Sequence, residues 1–360
     1  MRVGFDARAL VSPAAGVRRY TRELFAAMAH LDGVEVVAAG TAPGADLPAR
    51  VSSAAASASL PTNLGWMITG LPRSARSAKL DVFHAPSYTA PLAGPRPLVL
   101  TIHDISYERH PEWYPYRRDP LRRAFYRWSA GTADRIITDS QYSKQEIVAG
   151  YSLDPERISV VPLAVGTAFT PADRAQANSP YVLHVGDLHP RRNLAVAVRA
   201  LKRVRAHRAD LRSLRLVLAG VDRGAGAALI QHSSPEDARM IELAGKVSDD
   251  QLVQLYRGAT GLVYPSLYEG FGLPLLEAMA CGTPVVASRA SSIPEVTGDA
   301  AVLLDPNDDA GWAEAIESLF DPEVEGRLRD AGIRRAAAFT WQRAAAATVD
   351  VYRRALGERK

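Results

Sequence analysis

Glu269 and Glu277 bracket a glycine-rich turn, Tyr268-Glu269-Gly270-Phe271-Gly272-Leu273-Pro274-Leu275-Leu276-Glu277, that follows a short apolar run. Two carboxylates so spaced can accept hydrogen bonds from ligand hydroxyls, one on each side of the turn. Pro274 suits a first helical turn, where its missing N–H would be unpaired in any case, and Gly282 suits a helix end. The helix therefore begins near Gly272 and aims the free N–H groups of the turn outward, where phosphate or sugar oxygens can accept them. A structural reading of Glu277 stays open beside this one. A carboxylate in a first helical turn also complements the helix dipole, an effect of about 0.3 to 1 kcal/mol.

A second constellation, Val185-Gly186-Asp187-Leu188-His189-Pro190-Arg191-Arg192-Asn193, again sits at a strand-to-helix turn. Arg191 and Arg192 there either clamp a diphosphate, a task that suits planar guanidinium groups, or form a solvated basic loop. A third turn, Ala14-Ala15-Gly16-Val17-Arg18-Arg19-Tyr20, follows the first strand and opens a long helix. His103-Asp104 closes the strand expected over Leu98 to His103; a lone histidine at such a place is either a site residue or a satisfied structural one.

Other chemistries lack their residues. No Gly-x-Gly-x-x-Gly turn follows the first strand, and Gly224-Ala225-Gly226 ends in Leu229 instead of completing one, which argues against a dinucleotide oxidoreductase. There is no Walker loop, Asp-x-Asp or His-Glu-x-x-His, so no bound divalent metal is expected. The single cysteine, Cys281, cannot form an internal disulfide; it reads as a small buried residue of a protein in a reducing compartment, the cytoplasm by default.

The elements that must position these turns follow from the apolar pattern. Strands are expected over Arg2 to Phe5, Val34 to Ala38, Asp81 to His84, Leu98 to His103, Arg135 to Thr138 and Ile158 to Val161. A second series covers Tyr181 to Val185, Leu214 to Leu218, Met240 to Leu243, Leu262 to Tyr264, Pro284 to Ala287 and Ala301 to Leu304. Helix-length amphipathic stretches alternate with them, as in parallel sheets built from βαβ units. Gly166 to Pro180, without periodicity, reads as the linker between two α/β domains. Ser143 with Glu146, and Ser248 with Gln251, read as capping boxes, and Thr340 caps a last helix from Trp341 towards Leu356.

At 360 residues, with 47% hydrophobic and 23% charged residues, the composition is that of a folded globular chain and excludes global disorder, collagen and coiled coil. Met1 leads directly into Arg2, Val3 and Gly4, so no secretory signal is expected, and Val51 to Pro72, broken by Pro61 and Asn63, is a poor membrane span. A formal charge of +4 suits anionic lipid, nucleotide phosphates or nucleic acid without choosing among them. After Pro120, Leu121, Ala124, Phe125 and Trp128 form a helical stripe with Arg122, Arg123 and Arg127 elsewhere. That stripe either lies on an anionic membrane or packs on its own sheet, and the second is the simpler expectation.

Together these segments resemble the retaining glycosyltransferases of family 4, nearest to the mannosyltransferase-like bacterial members, over almost the whole chain. Glu269 to Glu277 matches the family's E-x7-E motif, Pro190-Arg191-Arg192-Asn193 resembles its P-R-K-N turn, and Gly16 to Tyr20 resembles its G-I-G-R-Y loop. His84-Ala85-Pro86, Thr101-Ile102-His103-Asp104 and Pro294-Glu295-Val296 match as well. Two departures stand out: Arg18 occupies the place of the loop's second glycine, and Asp187 stands where many relatives have arginine.

The resemblance implies an α/β protein of the GT-B fold, two Rossmann-like doubly wound parallel-sheet domains facing across a cleft. It implies an acceptor domain over 1–168, a nucleotide-sugar donor domain over 178–339 and a C-terminal helix, 340–360, crossing back to the first domain. The implied reaction moves a hexose, with GDP-mannose the leading donor, to an acceptor hydroxyl with retention at the anomeric carbon, the departing phosphate taking the acceptor proton. No metal and no cofactor are implied beyond the nucleotide sugar, which is substrate.

By the same resemblance Glu277 holds the ribose and Glu269 the donor sugar. Backbone N–H groups from Phe271 through Gly272 to Leu273 hold sugar and diphosphate, Arg191 and Arg192 neutralise the diphosphate, and His103 sits by the reacting sugar. Gly186, Gly16 and Arg18 complete the expected donor contacts. The expected partners are a nucleoside-diphosphate sugar, a glycan, lipid-linked or small-molecule acceptor, and peripherally the inner face of an anionic membrane; nucleic acid is not among them. Two rivals keep the same fold: a non-catalytic nucleotide-sugar-binding module and a GT-B sugar-nucleotide epimerase.

Overall fold

The computed structural model describes residues 1–40, 46–54, 66–91, 94–114, 119–172 and 179–357. In the first half the apolar runs form β1 (Arg2–Asp6), β2 (Glu35–Ala39), β3 (Ser52–Ser53), β4 (Val82–Ala85), β5 (Leu98–Thr101), β6 (Arg135–Thr138) and β7 (Ile158–Val160). They pair in parallel in the order β3-β2-β1-β4-β5-β6-β7, so the winding direction switches between β1 and β4. β4 and β5 are buried at every position, as central parallel strands covered on both faces must be. The short edge strand β3 escapes the sequence pattern because both of its serines are exposed.

The second series forms β8 (Tyr181–Val185), β9 (Arg215–Ala219), β10 (Ile241–Gly245), β11 (Gly261–Tyr264), β12 (Val285–Ser288) and β13 (Val302–Leu304). Their order is β10-β9-β8-β11-β12-β13, again all parallel. β8 and β11 are neighbours, with Val182 opposite Gly261 and Leu183 opposite Leu262, and the winding switches between them. The loops leaving β8 and β11 therefore diverge from a shared edge, the place where open α/β sheets bind ligands.

The chain divides into two units, Met1–Leu163 with Thr340–Lys360, and Ala164–Phe339. Leu71, Phe83, Leu100, Ile136 and Ile147 belong to the core of the first, and Val182, Leu216, Val263, Val286 and Trp312 to that of the second. Each such Val, Leu, Ile or Phe contributes about 1.5 to 3 kcal/mol of burial. The first unit ends earlier than the sequence suggests because the leading part of the expected linker belongs to the second. Phe169 is buried edge-on to Tyr256, Arg257 donates to the Thr170 carbonyl at 2.9 Å, and Arg329 donates to the Ala172 carbonyl at 3.2 Å. Residues 173–178 of that linker, and residues 55–65 of the uncharged Val51 to Pro72 stretch, lie outside the described residues.

The last helix, Trp341–Gly357, packs on the helix Ala15–Met28 of the first unit. Small Ala344 and Ala345 are buried along it, Val351 and Tyr352 are fully buried, and the Thr340 hydroxyl accepts from the Arg343 N–H at 3.3 Å. A chain of hydrogen bonds ties this helix in: the Tyr20 hydroxyl meets Thr101 Oγ1 at 2.8 Å, Thr101 Oγ1 meets His84 Nε2 at 2.7 Å, and His84 Nδ1 meets the Tyr352 hydroxyl at 2.6 Å.

Three local expectations are corrected. β5 stops at Thr101, leaving His103 two residues beyond it in the loop. The helix Gln141–Tyr151 is capped by Ser140, whose side chain accepts from the Ser143 N–H at 3.0 Å; Ser143 lies inside the helix, and Glu146 pairs with Arg109 at 2.7 Å. The capping box of Ser248 with Gln251 is present in both directions. On the helix Pro120–Thr132 the apolar stripe faces outward: Leu121 is 81% and Trp128 37% exposed, with Phe125 stacked on Trp128 at 5.5 Å. The inward face belongs to Arg123, which pairs with Glu108 at 2.8 Å, and to Tyr126, whose ring meets Tyr107. Among the described residues no helix is long and apolar enough to cross a membrane.

Candidate functional site

At the switch point of the second unit the two loops meet through charge. Arg192, on the short turn Pro190–Arg192 after β8, is 7% exposed and donates through Nη1 to Glu269 Oε1, to the Tyr264 hydroxyl at 2.7 Å and to Ser266 Oγ at 3.4 Å. Its guanidinium also lies 5.4 Å from the Tyr264 ring centroid. Burial lowers the pKa of Arg192 from the usual arginine range, with Tyr264 acting against that shift. Arg191 reaches Glu269 Oε2 at 3.5 Å and donates to the Tyr268 carbonyl at 3.1 Å. The solvated-loop reading is thereby excluded for Arg192.

Gly186 makes this approach feasible. Its φ of +131° is a conformation that disfavours side chains, and a Cβ there would stand 2.8 Å from Arg192 Nη2. The Asp187 carboxylate turns away to pair with Arg223 at 3.1 Å, while its carbonyl accepts from Arg192 Nε at 3.4 Å.

The loop after β11 is held from a third side. The Glu269 N–H donates to Ser291 Oγ at 2.8 Å, and Ser292 Oγ donates to the carbonyls of Glu269 and Phe271 at 2.9 and 3.1 Å. Gly272 then turns the chain at φ +104° into the helix Leu273–Ala280, whose N-terminus has no side-chain cap. The nearby helix Ala225–Gln231, after β9, contrasts with it: the Asp222 carboxylate accepts from the N–H groups of Gly224, Gly226 and Ala227 and closes that terminus.

Glu277 is the fifth residue of its helix, past the first turn, which weakens the dipole reading. It is 2% exposed and accepts from the Tyr256 hydroxyl at 2.9 Å. The two carboxylates of the motif are thus separately supported, Glu269 by arginines and Glu277 by a phenol.

In the first unit, Gly16 and Arg18 lie in the opening turn of Ala15–Met28, and Arg18 Nη1 folds back to donate to the Ser12 carbonyl. That contact closes the loop after β1. His103 is held at Nδ1 by Asp139 Oδ2 at 2.8 Å, with the Tyr20 ring edge-on at 4.8 Å. Burial pulls the His103 pKa down, but the Asp139 carboxylate, joined by Asp104 and the Pro86 carbonyl, outweighs it and sets the net direction upward.

Asp139, Tyr256, Tyr264, Ser291 and Ser292 escape sequence reasoning. Asp139-Ser140 at the end of the strand Arg135 to Thr138 was a usable signal; the phenols are separated by long stretches of chain from the groups they hold. Among the described residues no cluster of three His, Cys, Asp or Glu side chains could hold a metal ion.

Comparison with known proteins places this geometry. The profile of Glycosyltransferase Family 4 matches residues 14–169, and that of Glycosyl transferases group 1 matches residues 179–321. The O-antigen chain mannosyltransferase B of Escherichia coli is 33% identical over 291 residues, 77% of this chain and 75% of that protein. The MMP alpha-(1->4)-mannosyltransferase of Mycolicibacterium hassiacum is 36% identical over 275 residues, 72% of this chain and 66% of that protein. The solved sucrose-phosphate synthase of Thermosynechococcus elongatus shares the fold with a TM-score of 0.74 at 21% identity, covering 99% of this chain and all of that one. Two doubly wound parallel sheets, the arginine-held E-x7-E turn and these relatives lead to one assignment: the chain belongs to the family 4 glycosyltransferases of GT-B fold.

Proposed function

We propose that the enzyme transfers mannose from GDP-mannose to an acceptor hydroxyl with retention and without a metal. The observation that carries this reading is the cluster of buried Arg192 and Glu269 with half-buried Arg191, beside the N-terminus of Leu273–Ala280, which has no side-chain cap. Fixed positive charge and free N–H groups next to each other suit a diphosphate leaving group, and preorganised electrostatics of this kind is usually the largest catalytic contribution. Mannose as the donor sugar is supported by the two mannosyltransferase relatives.

In this reading the bond from the anomeric carbon to the phosphate oxygen breaks, the acceptor oxygen bonds on the same face, and its proton passes to the departing phosphate. Glu269, with its carboxylate held by two guanidinium groups, is a poor nucleophile and serves instead to accept from sugar hydroxyls. Glu277 with Tyr256 receives the ribose, and His103 contacts the reacting sugar. The acceptor is a glycan, a lipid-linked saccharide or a small molecule, and the lone buried thiol of Cys281, pushed up to about 12 by burial, suits a reducing cytoplasm.

A thermal-shift screen of sugar nucleotides, followed by transfer assays in EDTA and NMR of the product anomer, tests all of this. Binding and turnover of GDP-mannose with an unchanged anomer are expected. Donor binding without transfer or hydrolysis would support a binding module, and conversion of the sugar nucleotide without acceptor would support an epimerase.

The outward stripe on Pro120–Thr132 favours a second, compatible property: peripheral attachment to an anionic membrane. Leu121 and Trp128 project from a helix that also carries exposed Arg122 and Arg127, an apolar face with basic flanks.

A further inference from the structure

His103 has one ring nitrogen occupied and one left over. Nδ1 is tied to Asp139 at 2.8 Å, whereas Nε2 is shielded from solvent and, among the described residues, makes no well-formed hydrogen bond, the Pro86 carbonyl being the backbone acceptor that faces the ring. A buried polar atom in that state is costly unless a ligand or water completes it. The rest of the residue is immobilised. Ser143 Oγ donates to the His103 carbonyl at 3.1 Å, the Tyr20 ring stands edge-on at 4.8 Å, and the Tyr88 ring is edge-on at 5.9 Å. Tyr88 itself adopts a φ of +44°, an unfavourable conformation for a bulky side chain, adjacent to this imidazole.

Asp139 has no other visible task. It lies one residue past β6, is 2% exposed, and its second oxygen, Oδ1, is buried without a partner among the described residues. A buried carboxylate spending one oxygen on an imidazole and nothing on the other is a poor stabilising device. It is, however, a good way to define which nitrogen of a histidine carries the proton.

We propose that Asp139 is a positioning residue of the transfer reaction: by accepting a hydrogen bond from Nδ1–H of His103 it fixes the ring and its charge, so that Nε2–H is the group offered to an oxygen of the donor sugar. This rests on the glycosyl-transfer reading and adds to it the residue that sets the state of His103. The groups facing the ring are Asp139 from the end of β6, Asp104 and the Pro86 carbonyl from adjacent loops, Tyr20 from Ala15–Met28, Tyr88, and His84 from β4 behind Thr101. Of these, Asp139 makes the largest contribution favouring the charged ring.

The test compares wild type with Asp139→Asn, whose amide oxygen still accepts from Nδ1–H but carries no charge, and with Asp139→Glu, which restores the charge. In the wild type, kcat/KM for transfer should fall on the alkaline side as His103 loses its proton. In Asp139→Asn that fall should move down by about one pH unit, and Asp139→Glu should move it back. Nitrogen-15 NMR of the histidines should show His103 protonated at Nδ1 in its neutral form. Superimposable pH profiles, a loss of equal factor at every pH, or a neutral His103 protonated at Nε2 would overturn the proposal. Absence of transfer and of donor hydrolysis in wild type would instead remove the functional reading, and this role with it. Because the NMR titration needs no turnover, the two failures are distinguishable.

Discussion

Arg192 and Glu269, from the loops after two neighbouring strands, form an ion pair with side chains only 8% and 6% exposed. Removing one partner of such a pair strands the other charge, at about 3 to 5 kcal/mol, whereas removing both often costs little. Arg192→Met should therefore lower the melting temperature of the second unit far more than Glu269→Gln, which leaves Arg192 with Tyr264, Ser266 and the Asp187 carbonyl as acceptors. The double variant should recover part of the Arg192→Met loss by calorimetry; strictly additive losses would mean the two are not coupled.

The carboxylates of the motif should separate by function. Tyr256→Phe removes the hydrogen bond to Glu277, and GDP should bind more weakly by the equivalent of about 0.5 to 1.5 kcal/mol with sugar preference unchanged. Glu277→Ala should weaken GDP further. Glu269→Ala should lose transfer while GDP still binds, and titration calorimetry showing the opposite order would reject the assignment.

Acid should destabilise each unit through a buried histidine. His84 is pushed down to about 3 by burial, with His103 adding to it, and His184 to about 3 by burial, with Arg192 adding to it. Their ordinary value is about 6.5, so between roughly 3 and 6.5 the unfolded chain binds more protons than the folded one, and stability declines as pH falls through that window. His103, shifted upward, works the other way: its contribution is complete below the ordinary histidine range and fades as pH rises through its folded value. His184→Asn, which keeps a donor for the Val263 carbonyl, should flatten the acid side of the second unit's melting curve; an unchanged slope would place the acid sensitivity elsewhere.

Vesicle sedimentation addresses the outward stripe. Wild type should pellet with phosphatidylglycerol vesicles and much less with phosphatidylcholine, and Leu121→Glu combined with Trp128→Glu should abolish pelleting without altering transfer to a soluble acceptor. Equal pelleting by the variant would exclude this face as the attachment surface.

The central strands were legible because both of their faces are covered, which leaves uninterrupted β-branched runs such as Ile136-Ile137-Thr138. The motif turn was legible because Gly272, Pro274 and Gly282 each answer a local backbone demand. What joins the turns was not, since Arg192 and Glu269 are separated by 77 residues and nothing local distinguishes a buried arginine from a solvated one. The stripe after Pro120 runs against the simpler expectation for a related reason: amphipathic spacing identifies a face but not its direction, and here Glu108, 15 residues from Arg123, draws that arginine inward while Arg122 and Arg127 stay exposed.

Trp341–Gly357 completes the first unit, yet it is the last described helix in the chain. During synthesis Tyr352 therefore reaches His84 only after all of Ala164–Phe339 has been made. The usual order, in which the leading domain folds first, is inverted at this point: the trailing unit has its full sequence in hand while the leading one still waits for a wall of its core. Any lesion that slows the second unit should then prolong the period in which the first is open, so that variants far from β1 to β7 act on the yield of the first unit without touching it.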